Sequence, residues 1–150
     1  MAGLRIIRSM AIDPLKDFPG YALRRASVAT MQRLAGGLQA LDLRPSEAST
    51  LLVIEANPGI TQSDVGRLLD IAGANMAPLM RRLEERDLVE RNPVDGRSQA
   101  LYLSAEGRAL STKARKVFRS HEEELLKRIP SGDRATFMKN LRALYSDLSG

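Results

Sequence analysis

The chain has 150 residues, a length that suits one domain with flanking helices. It contains no cysteine and one histidine, which excludes disulfides, thiol chemistry and a histidine-rich metal site within one chain. Lysine and arginine outnumber aspartate and glutamate by 23 to 18, and this basic excess favours a polyanionic partner. Aromatic residues make up only 4%, with no tryptophan, so large stacking platforms for single-stranded nucleic acid are excluded.

No segment of the sequence is typical of a membrane span or a secretory signal. The longest aliphatic run, residues 51–54, is far shorter than the ~20 residues that a bilayer requires. Residues 1–16 carry Arg5 and Arg8 among apolar residues, which is atypical of a signal peptide. We interpret this segment as a flexible or dimer-wrapping arm, with a basic amphipathic presequence as the alternative. A cytoplasmic protein without membrane contact is expected.

Two helices are predicted in the first third of the chain. Apolar residues at spacings of three and four line one helical face over residues 19–41, with a weak point at Gly36 and Gly37. Pro45 suits the first turn of the second helix, because its missing N–H would be unpaired there. The sequence Asn-Pro-Gly at residues 57–59 then ends this helix.

A helix-turn-helix pattern follows. Thr61 with Asp64 three residues later resembles a capping box at the start of a short helix. A turn at residues 70–73 separates it from a second helix, which is predicted over residues 74–87. Pro78 lies just past the first turn of this second helix, and we expect it to distort the helix locally without breaking it.

The hydrophobic period then changes from 3.6 to 2, which predicts two strands at residues 88–91 and 100–103. The loop between them contains Pro93 and an Asp-Gly pair, both typical of hairpin turns. Ser104 is placed to cap a long helix after the second strand, and a last helix follows an interruption at residues 130–132. A hairpin directly after a helix-turn-helix forms a winged helix.

The predicted fold class is therefore mainly α with a small β-hairpin wing (α+β). Residues 44–104 are assigned to a winged helix-turn-helix DNA-binding domain. Residues 17–43 and 105–150 are assigned to dimerisation helices, because each of these helices carries an apolar stripe too long for a small monomer to cover.

The start of the second helix of the helix-turn-helix is the predicted DNA-reading end. In such motifs this helix enters the major groove, and its N-terminal residues meet base edges. Asn75 and Met76 belong to this end, and Arg81 and Arg82 follow. Asparagine can pair with adenine, and arginine with guanine or phosphate. The alternative is that Asn75 only stabilises the helix start and that the arginines form a solvated face.

The tip of the hairpin loop is the second predicted contact with DNA. An arginine at a turn tip, here Arg97, can enter a narrow minor groove, where the negative potential is enhanced. Asp95 would orient this arginine or pair with a basic residue of the recognition helix. The alternative is an ordinary Asp-Gly turn that happens to carry an arginine.

The predicted DNA-reading segment is less basic than the chain as a whole. Residues 61–100 contain six basic and seven acidic residues, and the basic excess lies in the first helix and around residues 108–119. This balance leaves open a second function, a winged-helix protein-interaction module that does not bind DNA.

The sequence resembles the MarR (multiple antibiotic resistance regulator) family of transcription factors. The resemblance spans roughly residues 21–148 and is most specific in three runs, RDLVER, DGR and LSAEG, at residues 86–91, 95–97 and 103–107. It implies homodimers that bind palindromic operator DNA, usually as repressors released by a small aromatic or anionic ligand. Arg44 stands where the family usually has a helix-capping threonine, and Asp87 where it usually has glycine.

The resemblance also points to an effector site on the first helix. Tyr21, Arg24 and Arg25 supply a phenol and two cations, which suit an aromatic acid or the phosphates of an acyl-CoA thioester. The alternative is a pair of solvated arginines beside a packed tyrosine. Sensing through a reactive thiol, known in parts of the family, is excluded by the absence of cysteine.

No catalytic pattern is present in the sequence. It has no Ser/His/Asp spacing, phosphate-binding loop or dinucleotide-binding motif, so we expect neither an enzyme nor a cofactor or metal. His121 lies on the apolar stripe of the long helix and is interpreted as a core or interface residue. The predicted function is that of a sequence-specific transcriptional regulator, a homodimeric repressor responsive to a ligand.

Overall fold

The computed structural model describes residues 12–94 and 99–148. The chain divides into two compact units, residues 1–32 and residues 33–150. In the described ranges, no helix is long and apolar enough to cross a membrane.

Helix α1 covers Pro19–Leu38, after which the chain tightens into a 3-10 turn over Gln39–Leu41. The predicted first helix is thus confirmed, with its last residues in a narrower helical form. Leu23, Val28 and Met31 of the first unit are exposed, each by more than two-fifths. A helix with this much exposed apolar surface is typical of an interaction surface.

The remaining elements follow the predicted order, with one addition. They are α2 (Pro45–Ala56), β1 (Ile60–Thr61), α3 (Gln62–Leu68), α4 (Gly73–Glu85), β2 (Val89–Pro93), β3 (Gln99–Leu103), α5 (Ala105–Leu126) and α6 (Arg134–Leu148), with a 3-10 turn at Ser131–Asp133. The predicted fold class, a mainly helical winged helix with a small β wing, is confirmed.

The addition is strand β1, which makes the sheet three-stranded and antiparallel in the order β1-β3-β2. Ile60 pairs with Leu101, which also pairs with Arg91 of β2 on its other side. The Gly59 N–H donates to the Leu101 carbonyl at 2.9 Å, which extends this pairing by one bond. Two residues carry no visible period, so the sequence does not predict this strand.

Both predicted helix caps are present. The Thr61 Oγ1 atom accepts a hydrogen bond from the Asp64 N–H at 3.2 Å and donates one to the Asp64 carboxylate at 2.6 Å. The Ser104 Oγ atom accepts from the Gly107 N–H at 2.9 Å. Gly107 itself is required by packing, because a Cβ atom there would lie 2.0 Å from the Leu88 carbonyl oxygen.

The hydrophobic core lies in the second unit and is built from both helices of the helix-turn-helix, α2 and the sheet. Its largest fully buried apolar side chains are Leu38, Leu51, Ile54, Val65, Met76, Met80, Leu83 and Leu101. This core fixes α4 along one face and leaves its other face in solvent.

Candidate nucleic-acid interface

The exposed face of α4 begins with its first turn. Asn75 is exposed there, and its backbone N–H donates to the Ala72 carbonyl at 2.8 Å. Pro78 and Arg81 are also exposed and follow at intervals of three residues, which places them side by side on the helix surface. The structure therefore places an amide at the end of the helix that meets base edges in a winged helix, and a cation six residues further along the same face.

Met76 does not belong to this surface. Its side chain is only 2% exposed and forms part of the core, where it contacts α3 near Gly66. This burial corrects the inclusion of Met76 among the DNA-contacting residues, since a side chain that fills the core cannot also face a groove.

Pro78 does not interrupt α4, which continues to Glu85. Because proline lacks an N–H, the carbonyl four residues earlier, that of Ala74, loses its usual helical donor. The prediction that the helix continues past Pro78 is confirmed.

The two arginines predicted on the recognition helix have different surroundings. Arg81 is exposed and forms no ion pair among the described residues. Arg82 donates from Nη2 to Asp42 Oδ1 at 3.1 Å. Its Nε atom lies 2.8 Å from Glu47 Oε1, in an ion-pair contact whose geometry does not form a hydrogen bond. The structure thus gives Arg82 partners within the protein that the sequence pattern did not indicate.

Arg44 is a further cation beside the recognition helix. It is exposed at the start of α2 and forms no ion pair in the described part of the chain. Arg44, Ser46, Asn75, Pro78 and Arg82 are among the residues that line a cleft of about 570 Å³ between the start of α2 and α4. Only its unusual place at a helix start marks this residue in the sequence.

The base of the wing is fixed by Arg91 of β2. Its guanidinium donates to Glu84 of α4, to Gln62 Oε1 of α3 at 2.8 Å and to Gln99 Oε1 of β3 at 3.3 Å. One side chain therefore joins the hairpin to both helices of the helix-turn-helix. The predicted wing residues Asp95 and Arg97 lie outside the described residues.

The predicted effector residues lie on α1. Arg25 Nη1 pairs with Asp13 Oδ2 at 3.2 Å, and the Arg25 guanidinium lies 6.0 Å from the centre of the Tyr21 ring. Arg24 is exposed and forms no ion pair among the described residues. The structure therefore brings Tyr21 and Arg25 together, with one of the two cations already engaged by a carboxylate.

A second cleft, of about 510 Å³, lies between residues 33–37 of α1 and residues 116–124 of α5. Leu34 and Val117 are its apolar lining residues, and a Cβ atom on Gly37 would lie 2.9 Å from Val117 Cγ1. The polar residues that line it are Arg33, Lys116, Ser120, His121 and Glu124. A cleft lined by both cations and apolar side chains is suited to an organic anion.

In the described ranges, no group of three or more histidine, aspartate and glutamate side chains is placed to hold a metal ion. A short antiparallel sheet beside a helix-turn-helix, with an exposed asparagine at the start of the second helix, defines a winged-helix protein of the DNA-binding class.

The chain belongs to the MarR family. The family profile, described as MarR family, matches residues 41–98. The transcriptional regulator HosA of Escherichia coli O111:H- is 30% identical over 107 residues, which cover 70% of this chain and 79% of HosA. The HTH-type transcriptional repressor Rv2887 of Mycobacterium tuberculosis is 28% identical over 130 residues, which cover 85% of this chain and 94% of that repressor.

Solved structures show the same fold. The transcriptional repressor CouR bound to a 23-mer DNA duplex matches with a TM-score of 0.81 and 28% identity over 90% of this chain and 99% of CouR. CouR bound to p-coumaroyl-CoA matches with a TM-score of 0.81 and 27% identity over 91% and 97%. Rv2887 in complex with salicylic acid matches with a TM-score of 0.68 and 27% identity over 84% and 95%. The prediction of a DNA-binding transcriptional regulator of the MarR family is confirmed.

Proposed function

We propose that the protein is a homodimeric repressor that binds palindromic operator DNA and is released from it by a small organic anion. The observation that carries the proposal is the two-sided character of α4. Met76, Met80 and Leu83 fix one side of this helix in the core, while Asn75 and Arg81 are presented to solvent on the other. A recognition helix needs this combination of a rigid base and a free polar face.

Within this function, Asn75 pairs with a base edge, and Arg81 contacts a base or phosphate. Arg44, beside the same cleft as Asn75, contacts phosphate at the edge of the half-site. Asp95 and Arg97 keep their predicted roles in the wing. Arg97 enters the minor groove, and Asp95 orients it or pairs with a basic residue of the recognition helix. The contact of Asn75 reads the DNA sequence, while the cations chiefly supply affinity.

The homodimer is supported by the apolar side chains that remain exposed on two helices. Leu23, Val28 and Met31 of α1 are between 42% and 47% exposed, and Met138 and Leu144 of α6 are 37% and 46% exposed. A two-fold axis between such surfaces would place the two copies of α4 about 34–36 Å apart, one turn of DNA.

The effector class follows from the chemistry of the clefts and from the relatives. CouR binds p-coumaroyl-CoA, and Rv2887 binds salicylic acid, so both take an aromatic ligand that carries an anionic group. In this chain, Arg33 and Lys116 line the cleft between α1 and α5 together with Leu34 and Val117. Tyr21, Arg24 and Arg25 remain the second candidate, in which the exposed Arg24 forms no ion pair with any described residue.

The test is a mobility-shift titration on the DNA upstream of the gene, at two salt concentrations, with a scrambled duplex of the same length as the control. A repressor binds the upstream duplex with an affinity that exceeds its affinity for scrambled DNA by roughly 10³-fold or more. Equal binding to both, or none, would contradict the proposal and favour the protein-interaction module.

The effector is tested by thermal stabilisation with aromatic acids and acyl-CoA thioesters, because a ligand of the folded state raises stability by mass action. Arg33→Ala and Arg24→Ala are matched charge deletions in the two candidate sites. The variant that loses stabilisation identifies the site, and no stabilisation by any compound in either class contradicts a ligand of this chemistry.

A further inference from the structure

Arg82 in the second half of α4 and Arg86 directly after α4 both reach residues 39–47. This segment comprises the turn after α1 and the first turn of α2, and we call it the junction. Arg82 contacts a side chain on each part of this junction, with Nη2 3.1 Å from Asp42 Oδ1 and Nε 2.8 Å from Glu47 Oε1. These partners lie 40 and 35 residues earlier in the chain, so the contacts join separate elements of the fold.

Arg86 lies four residues after Arg82, directly after the end of α4, and binds the backbone of the same junction. Its Nη1 atom donates to the Asp42 carbonyl at 2.6 Å, and its Nη2 atom donates to the Leu41 carbonyl at 3.2 Å. Carbonyls at the end of a helix lack intrahelical donors. Asp42 also adopts a left-handed conformation, with φ of 49°. Arg86 therefore satisfies the acceptors that the turn after α1 leaves open.

Arg82 is the cation that compensates the buried carboxylate of Glu47. This carboxylate is 1% exposed, accepts the Arg44 N–H at 2.8 Å through Oε2, and faces Arg82 through its other oxygen. A buried carboxylate that loses its cation is strongly destabilising. The Arg82 guanidinium is therefore retained by the protein, whereas the neighbouring Arg81 has no such partner among the described residues.

We propose that Arg82 and Arg86 are positioning residues that fix the recognition helix to the junction, and that neither contacts DNA. They set the angle of α4 so that Asn75 and Arg81 reach the groove together. The junction directly follows the C-terminal part of α1, in which Arg33 and Gly37 line the cleft between α1 and α5. A ligand that displaces this part of α1 would therefore move α4 through Arg82 and Arg86. This inference rests on the proposed function for its DNA readout.

The first test compares adjacent arginines. Arg81→Ala is the control for a phosphate-binding arginine, and Arg86→Ala and the double variant Arg82→Ala/Glu47→Gln remove the contacts with the junction. The double variant avoids leaving a buried charge unpaired, so it is the variant expected to fold. Each protein is titrated with operator and scrambled DNA over a range of salt.

We expect Arg81→Ala to make the salt dependence on scrambled DNA shallower by about one unit per protomer. Arg86→Ala and the double variant should leave that slope unchanged and weaken operator binding alone, by roughly three- to tenfold. A slope on scrambled DNA as shallow as that of Arg81→Ala would overturn the proposal, because it would place the arginine on phosphate.

The second test needs no DNA and separates this inference from the proposed function. Denaturation midpoints are measured for Arg82→Ala, Glu47→Gln and the double variant. We expect Arg82→Ala alone to be less stable than the double variant, because removal of the cation leaves Glu47 buried and charged. Strictly additive effects would overturn the proposal. Failure of the wild type to bind its upstream DNA, with this coupling intact, would instead contradict the proposed function.

Discussion

The Ser104 hydroxyl donates a hydrogen bond to the backbone carbonyl of Asp87 at 2.6 Å and so joins the start of α5 to the turn that ends the recognition helix. The same hydroxyl caps α5, so one side chain serves two elements. Asp87 has a left-handed backbone, with φ of 53°, and the bond from Ser104 helps to hold it there.

Replacement of Asp87 by glycine tests this conformation. A left-handed backbone disfavours residues with a Cβ atom, and glycine adopts it freely, so Asp87→Gly should stabilise the protein by about 0.5–1 kcal/mol. Asp87→Val should destabilise it, since a β-branched residue fits this conformation worst. Urea denaturation of both variants measures the difference, and an Asp87→Gly variant less stable than the wild type would contradict the expectation.

A pH-dependent contribution to stability is expected from Glu55. Its pKa is lowered, first by the hydrogen bond from the Ser111 hydroxyl at 2.6 Å and then by Arg115, against an opposing effect of burial. A carboxyl with a lowered folded-state pKa stabilises the fold above its unfolded value, near 4.3, and this contribution disappears as the pH falls through the lowered pKa.

Ser111→Ala removes the largest cause of that shift. The variant should lose stability at pH 7 and converge with the wild type as the pH falls below about 4. Urea midpoints at several pH values between 3 and 7 measure this difference, with Thr112→Ala, an exposed neighbour on α5, as the control. A stability loss that is the same at every pH would contradict the role of Glu55.

The dimer is expected to depend on exposed apolar residues of the flanking helices. Leu144→Asp on α6 should produce a monomer at micromolar concentration in light scattering, because it places a charge in the proposed interface. Leu68→Asp on α3 is the control, since Leu68 is 62% exposed on a helix outside the proposed dimerisation surface. A wild type that is monomeric under these conditions would contradict the homodimer.

Asn75 should discriminate between bases. Asn75→Ala removes a base-edge pair worth about 1–3 kcal/mol and should relax preference at one position in each half-site. Binding to random DNA should change little, because that component comes from phosphate neutralisation. Titration against operators with single base changes measures the effect, and an unaltered preference at every position would place Asn75 outside the base contacts.

Arg97 should recognise the width of the groove and the charge of the DNA backbone rather than the identity of a base. Arg97→Ala should weaken operator and random DNA together and make the salt dependence shallower by about one unit per protomer. Arg44→Ala should behave in the same way if Arg44 contacts phosphate, and it provides the matched comparison. An unchanged salt slope for Arg97→Ala would show that the wing does not touch DNA.

The sequence alone was sufficient for the order of the helices and the two wing strands and for both helix caps. Helical and strand periods are local properties, and the cap of Thr61 with Asp64 and that of Ser104 with Gly107 each span only three residues. The family resemblance also rests on short runs that are visible without a structure. The class of protein was therefore predictable from local pattern.

Only the tertiary structure decided what surrounds each of the predicted residues. Met76 lies beside Asn75 in the sequence yet is buried, because one side of α4 packs on the core. Arg81 and Arg82 are adjacent and chemically identical, but Arg82 meets Glu47 and Asp42 across a distance of 35 to 40 residues. Strand β1 exists only because residues near 101 pair with it. Such contacts join distant segments, and their energies depend on packing that no local period encodes.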